Sequence, residues 1–357
     1  MFGLITYDHS GKEIWRHKTG FPENTFGSAA SPILTDGKLI LVRDTNTDSQ
    51  LIPLSAETGE MVWTRDREGF ASGWSTPTIR GSDGRDELLI YGVWWLNAYD
   101  PRDGSELWSM PGLSDEPIIT PALDGGLVFV TSYNMKSNTE VERLPTFEAL
   151  LAAHDEDWDG LLNREEASKN VSGLSRNDAD GEGDHPLRIF FRFLDENGDA
   201  QLSADEWPKL VEWLASMKHH NALLALRPKI GESKPAIAWR FERGVPECPS
   251  PLAHAGRTWM IKNGGIVTCL RTANGEVLYE GRLGSGGPYY ASPIFADGKL
   301  FAVSARGVIS ILKEGDELDV IDQCDLGERV MATPALVGGD NYIRTESSLI
   351  AITNSAE

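Results

Sequence analysis

The sequence predicts an all-β propeller that is interrupted once by a segment of different character. Three observations carry this. A Ser-Pro or Thr-Pro step followed by apolar residues recurs at Ser31-Pro32, Thr76-Pro77, Thr120-Pro121, Ser250-Pro251, Ser292-Pro293 and Thr333-Pro334. Successive prolines stand about 41 to 45 residues apart, except between Pro121 and Pro251, where about 87 extra residues intervene. Soon after each proline comes a turn signal: Asp36-Gly37, Asp83-Gly84, Asp124-Gly125, Ala255-Gly256, Asp297-Gly298 and Gly338-Gly339. Four short strands at a period near 42 residues are what one propeller blade requires.

Within a unit the elements follow in order. The glycine turn precedes a β-rich run such as Leu39–Val42 or Leu300–Val303, which together read as a hairpin. The unit closes with a glycine followed four residues later by an aromatic: Gly11 and Trp15, Gly59 and Trp63, Gly104 and Trp108, Gly275 and Tyr279. Trp239 ends a more divergent copy, and the copy at Gly315 has lost its aromatic. A large ring repeated once per unit suits the gap between neighbouring sheets, whereas an active site is needed once.

The segments YDHSGKEIW, LSAETGEMVW and YDPRDGSELW resemble the tryptophan-docking repeat of the pyrroloquinoline-quinone (PQQ) type, BamB-like β-propellers. The resemblance covers residues 1–135 and about 221–352. That superfamily holds both quinoprotein dehydrogenases and scaffolds of outer-membrane assembly, so it is specific for fold and not for function. Leu4–Tyr7 and Glu13–His17 read as the last two strands of a unit, and Thr333-Pro334 through Leu349–Ile352 as the first three strands of another. Both ends therefore supply the same third strand. The expectation is about six to seven blades, N-terminally truncated from eight.

Three regions follow: propeller blades over residues 1–135, an insertion over 136–220, and further blades over 221–357. The strand before the insertion, Leu127–Ser132, is expected to pair with Leu223–Arg227 after it. Inside the insertion the β pattern stops. Pro145-Thr146 opens a helical stretch, Phe147–His154, which runs into DEDWDGLLNREE. Against the calcium-loop template, Asp155, Asp157 and Asp159 fill positions 1, 3 and 5. Gly160 stands at the sharp turn, Leu161 offers its carbonyl at position 7, Asn163 is at 9 and Glu166 at 12. A second copy, DENGDAQLSADE, places Asp195, Asn197, Asp199, Gln201, Ser203 and Glu206 at the same ligand positions. Leu162 and Leu202 hold the apolar eighth position, where paired loops meet. Ser203 with Glu206 reads as a capping box. The second loop has Ala200 where the template wants glycine, and a positive φ there costs an L-residue roughly 1–2 kcal/mol, which makes the second loop the weaker site. Both loops are expected to be flanked by helical segments, forming an EF-hand pair that binds Ca2+. The acidic stretch Asn177–His185 fails as a third loop, because Ile189 stands where the closing Glu would be, and reads as a linker.

The charge balance fits this division. The 357 residues carry 33 Lys+Arg against 54 Asp+Glu, a net charge of −21. Between Glu140 and Met217 stand 19 acidic and 7 basic residues, so over half of the excess lies in about a fifth of the chain. Such a field excludes nucleic acid and anionic lipid as partners. No apolar run approaches the roughly 18 residues of a membrane helix, and MFGLITYDHSGKEIW shows no signal peptide.

Other candidates have bland readings. His219-His220 stand near the end of a helix, where cationic or polar residues are common. His254 lies by a turn without a sequence partner. Trp94-Trp95 read as strand, with rings on opposite faces. Tyr289-Tyr290 read as packing between blades. The resemblance implies, for the dehydrogenases, adjacent disulfide-bonded cysteines that hold the quinone; Cys248, Cys269 and Cys324 are isolated, so PQQ is implied by resemblance and not supported by residues. The expected function is a non-enzymatic calcium-binding propeller that serves as a binding or assembly scaffold for a protein or an unidentified small ligand. By resemblance it works in the periplasm or elsewhere outside the cytoplasm. The alternative is a PQQ-dependent oxidoreductase or a degenerate relative of one.

Overall fold

A computed structural model describes residues 3–24, 26–82, 84–133, 145–168, 170–175, 184–186, 194–195, 197–209 and 221–353. Antiparallel sheets follow one another along the chain, each of sheets I–VII built from consecutive strands except sheet IV, which is interrupted by the insertion. Sheet I holds Gly3–Tyr7 and Glu13–Lys18; sheet II holds Ile33–Thr35, Lys38–Arg43, Gln50–Ser55 and Arg65–Asp66. Sheet III is Thr78–Ser82, Arg85–Gly92, Trp95–Tyr99 and Glu106–Pro111; sheet IV is Ala122–Asp124, Leu127–Ser132, Ala222–Arg227 and Ala236–Phe241. Sheet V comprises Leu252–His254, Arg257–Lys262, Ile266–Arg271 and Val277–Arg282, and sheet VI Ile294–Ala296, Lys299–Val303, Val308–Lys313 and Val320–Asp325. Sheet VII has three strands, Ala335–Val337, Asp340–Arg344 and Leu349–Ile352.

The turn between the first two strands takes positive φ at both residues, at Asp36 and Gly37, Ala255 and Gly256, Asp297 and Gly298, and Gly338 and Gly339. That backbone matches the right-handed twist of the strands it joins. In sheet IV the turn is Gly125-Gly126 rather than Asp124-Gly125, because Asp124 pairs with Leu127. Asp83, of the corresponding sheet III signal, lies outside the described residues.

The core lies between sheets. Leu89, Leu96, Ala98, Trp108 and Met110 of sheet III pack with Val128, Val130, Leu224 and Leu226 of sheet IV. Where the repeated aromatic is present, it is part of the contact. Trp15 packs with Ile52 and Leu54 of sheet II, Trp63 against Leu88 and Ile90 of sheet III, and Trp239 against sheets IV and V. Each of these three rings covers a glycine of the next sheet: Trp15 on Gly59, Trp63 on Gly104, Trp239 on Gly275. The indole N–H of Trp15 donates to the Ala56 carbonyl (3.0 Å) and that of Trp239 to the Thr272 carbonyl (2.9 Å). Trp108 differs, donating to buried Glu87 at 3.2 Å.

The Ser/Thr-Pro step is a second latch. The Ser31 N–H donates to Thr76 Oγ1 (3.1 Å), Thr120 N–H to Ser250 Oγ (2.9 Å), Ser250 N–H to Ser292 Oγ (2.9 Å) and Ser292 N–H to Thr333 Oγ1 (2.9 Å). A residue before proline is held extended, which keeps its N–H free for this cross-sheet bond. Arg67, held within sheet II by a buried ion pair to Asp44 (Nε to Oδ1, 2.7 Å), also reaches sheet III, its Nη1 donating to the Tyr99 hydroxyl at 2.7 Å.

The insertion leaves and rejoins a single sheet. Leu127–Ser132 pairs with Ala222–Arg227, from Val128 opposite Leu226 to Ser132 opposite Ala222. The intervening residues 133–221 therefore occupy the place of a hairpin turn.

Candidate metal centre

Phe147–His154 is an α-helix, capped by Thr146, whose Oγ1 accepts the Ala149 N–H at 3.3 Å. Phe147 and Leu150 are buried, and the helix delivers the chain to Asp155. Beyond Glu166 the structure departs from the expected helix. A short 3-10 turn, Glu166–Ser168, leads into a strand, Asn170–Ser175, paired with Asp184–Pro186. The run KNVSGLS, with valine, serines and glycine, is poor helix-forming sequence. The insertion is thus not wholly helical, and the Asn177–His185 linker ends in strand at Asp184; residues 176–183 lie outside the described set. On the second loop, Leu194 precedes and a helical turn at 207–209 follows, with Trp207 buried. Ile189, Phe190, Phe193, Leu210, Val211, Leu214 and His219-His220 lie outside the described residues.

The two loops meet in a two-residue antiparallel pairing, Leu162 opposite Leu202 and Asn163 opposite Gln201. Both leucines are buried. This puts the ends of both loops side by side, although about 40 residues separate them along the chain.

In the first loop, ligand atoms of Asp155, Asp157 and Asp159 all lie within 4.8 Å of one another. Backbone amides fold the loop around them. Asp155 Oδ1 accepts the Trp158 N–H (2.7 Å) and Oδ2 the Gly160 N–H (3.1 Å); Asp159 Oδ1 accepts the Leu161 N–H (2.8 Å). Glu166, 3% exposed, turns back into the loop and accepts from Glu156 N–H (2.7 Å) and Asn163 N–H (2.9 Å). The Asp159 N–H, the largest single influence on Asp157, favours its ionised form. Desolvation and the charges of Asp159, Glu166 and Asp155 outweigh it and hold the Asp157 carboxyl above its ordinary range.

The second loop repeats this. Asp195 Oδ2 accepts the Ala200 N–H (3.0 Å), Asp199 Oδ1 the Gln201 N–H (2.8 Å), and Glu206, 6% exposed, accepts from both the N–H (3.0 Å) and Oγ (2.8 Å) of Ser203. Asp195 Oδ1 is buried and has no donor among the described residues. Leu161 and Gln201 stand at the carbonyl positions.

Positive φ occurs at two positions in each loop: Trp158 (61°) and Gly160 (81°) in the first, Gly198 (74°) and Ala200 (62°) in the second. Each loop therefore carries one glycine and one strained L-residue, so strain at Ala200 does not by itself rank the loops. Carboxylate number does: Asp155, Asp157, Asp159 and Glu166 against Asp195, Asp199 and Glu206. An all-oxygen donor set of this kind suits a hard divalent cation.

The loops rest on the propeller. Phe147, Leu150, Leu162, Ala167, Leu194, Leu202 and Trp207 form one buried cluster with Ala71, Val93 and Trp94. Arg164, from the first loop, pairs with Glu68. Trp94 is not in a strand. Gly92 pairs with Trp95, so Val93 and Trp94 form the hairpin turn, with Trp94 at φ 60°. Reading the sequence alone missed this contact. The available signal was two large apolar residues at a turn where the corresponding positions of sheet V are Asn263, Gly264 and Gly265.

The remaining candidates are structural. Tyr289 is buried, its hydroxyl donating to the Ser285 carbonyl at 2.9 Å, and exposed His254 packs in a tilted arrangement against Phe295 with ring centroids 4.3 Å apart. Cys248, Cys269 and Cys324 are free and stand in different segments. Burial pushes the Cys248 thiol up to about 11 and Cys269 up to about 12. No two of these cysteines are adjacent, so they do not fit the vicinal disulfide that the PQQ resemblance implies.

A family profile described as PQQ_2, outer membrane protein assembly factor BamB, matches residues 3–90. The crystal structure of BamB from Moraxella catarrhalis superposes with a TM-score of 0.55 at 13% identity, covering 97% of this chain and 74% of that one. The Dos1 propeller gives 0.56 at 7% identity, covering 97% and 72%. No curated protein matches in sequence. The fold is that of a β-propeller, and within it residues 3–90 match the PQQ_2 profile. Among the described residues no helix is long and apolar enough to cross a membrane.

Proposed function

We propose that this chain is a calcium-binding propeller scaffold, in which an EF-hand pair within residues 136–220 holds two calcium ions. The propeller presents a surface to a protein partner or small ligand outside the cytoplasm. The observation that carries the calcium reading is the pairing of two carboxylate loops through Leu162 and Leu202, with Glu166 and Glu206 turned inward. Asp195 Oδ1, buried and without a donor among the described residues, supports it, since a buried carboxylate oxygen without a partner is costly. Asp155, Asp157, Asp159, Asn163, Glu166 and the Leu161 carbonyl would hold one ion. Asp195, Asn197, Asp199, Ser203, Glu206 and the Gln201 carbonyl would hold the other. Calcium there would neutralise crowded carboxylates and order the loops.

The assembly role rests on the described function of the family profile over residues 3–90 and on the fold shared with BamB. The compartment follows the same resemblance, and extracellular-type calcium levels fill even weak loops. Calorimetric titration of the whole chain tests the calcium reading, with two ions per chain expected. Glu166→Gln removes the bidentate ligand and is expected to weaken one site far more than Asn163→Ala. Absence of heat or uptake at millimolar calcium would refute the reading.

A further inference from the structure

We infer that the Val93-Trp94 turn of sheet III is a built-in target of the calcium module, so that calcium binding and docking of the insertion onto the propeller are one linked equilibrium. This rests on the calcium reading above. The argument starts from the turn itself. At the corresponding position sheet V uses Asn263, Gly264 and Gly265, sheet VI includes Arg306 and Gly307, and sheet VII has Glu346 and Ser347. Those are residues that tolerate water and turn geometry. Sheet III instead places valine and tryptophan there, with Trp94 at φ 60°. A bulky residue in that region is strained, and two large apolar side chains on a bare turn would face water. Neither is exposed: Val93 is 0% and Trp94 8% exposed, in one cluster with Phe147, Leu150, Leu162, Leu202 and Trp207.

The turn is fixed from the propeller side as well. Trp94 N–H donates to the Ser114 carbonyl (2.9 Å), and Leu113 N–H donates to the Trp94 carbonyl (3.1 Å). A Cβ on Gly92 would stand 2.5 Å from Phe70 Cδ1 and 2.7 Å from Arg67 Nη2. The turn is thus seated on Phe70 and on Arg67, which is paired to Asp44 and bonded to Tyr99, and offers its apolar tip outward.

Leu162 and Leu202 connect this tip to the metal. They are the paired eighth residues of the two loops, and they belong to the same buried cluster as Trp94. Any ion that fixes the loop pairing also fixes the surface that Trp94 enters. Linkage is reciprocal: if calcium favours docking, docking favours calcium by the same factor. The apolar anchor taken from a separate peptide in helix-in-groove recognition is here supplied by the propeller's own hairpin.

The test uses the full chain. Calcium affinity and stoichiometry are measured for the unaltered protein, for Trp94→Ala and for Glu166→Gln, with far-ultraviolet circular dichroism as the check on folding. Trp94→Ala is expected to keep two sites and to lose at least about fivefold in affinity, the lower end of ordinary coupling. Unchanged affinity in a folded Trp94→Ala would overturn the linkage while leaving the calcium reading intact. No uptake by the unaltered chain would overturn both. Hydrogen exchange on the unaltered chain gives an independent arm should Trp94→Ala not fold. The Trp94 and Leu113 amides are expected to exchange more slowly with calcium than with chelator, and equal exchange would overturn the linkage.

Discussion

Replacing Gly104 by alanine isolates the energetics of the repeated ring-on-glycine contact. An added Cβ would lie 2.7 Å from Cζ3 and 2.9 Å from Cη2 of Trp63, on a backbone with φ 73°. Two costs are separable. The left-handed backbone costs an L-residue roughly 1–2 kcal/mol. Forcing a methyl into the indole adds about 1–3 kcal/mol of overpacking. The structure supplies its own control. Gly11 occupies the same place in sheet I, with φ 84° and nothing within 4 Å of its added Cβ. Gly11→Ala should therefore cost only the backbone part, and Gly104→Ala about 2–5 kcal/mol altogether. The assay is urea unfolding of both variants and of the Trp63→Ala, Gly104→Ala double mutant. Without the ring, the alanine at 104 should cost only the backbone part, a coupling of about 1–3 kcal/mol, within the range measured for touching residues. Equal losses for Gly11→Ala and Gly104→Ala, or no coupling to Trp63, would refute the docking account.

Three further outcomes follow from the same structure. Deleting residues 137–219 and closing the gap with a short glycine linker should leave a folded propeller only when Val93→Asn and Trp94→Gly are added. The unmodified deletion should aggregate, which light scattering would detect. Thr76→Val removes the acceptor of the solvent-accessible Ser31 N–H and should lower stability by about 0.5–1.5 kcal/mol, measured by urea unfolding. Asp100 gives a pH signature. Hydrogen bonds from Arg102, with a further one from Arg85, hold its carboxyl well below the usual carboxylate range against the opposing effect of burial. A depressed acid stabilises the fold above its unfolded value, near pH 4, and loses that contribution as pH falls. The stability gap between the parent and Asp100→Asn should therefore be larger at pH 7 than at pH 3.

The sequence by itself determined whatever repeats or whatever a loop template fixes over a dozen residues. The 42-residue period, the hairpin turns and the glycine-aromatic pairs were legible because each propeller unit must solve the same packing problem at the same spacing. The flanking strands Leu127–Ser132 and Ala222–Arg227 were legible because the period resumes after the interruption. The grouping of Asp155, Asp157 and Asp159 was legible because alternate residues of a tight loop must converge. The tertiary structure alone decided what depends on contacts distant in the chain. It showed that the run after Glu166 leaves the first loop as a 3-10 turn and strand, where only the template had suggested a helix. It turned the Ser/Thr-Pro marker into a cross-sheet hydrogen bond, and it gave Trp158 a strain equivalent to that of Ala200. It also brought Trp94 under Leu162 and Leu202, residues far along the chain. No local pattern encodes that meeting. It arises because two apolar residues on a turn and the open side of a small inserted module both reduce their exposure to water by covering each other.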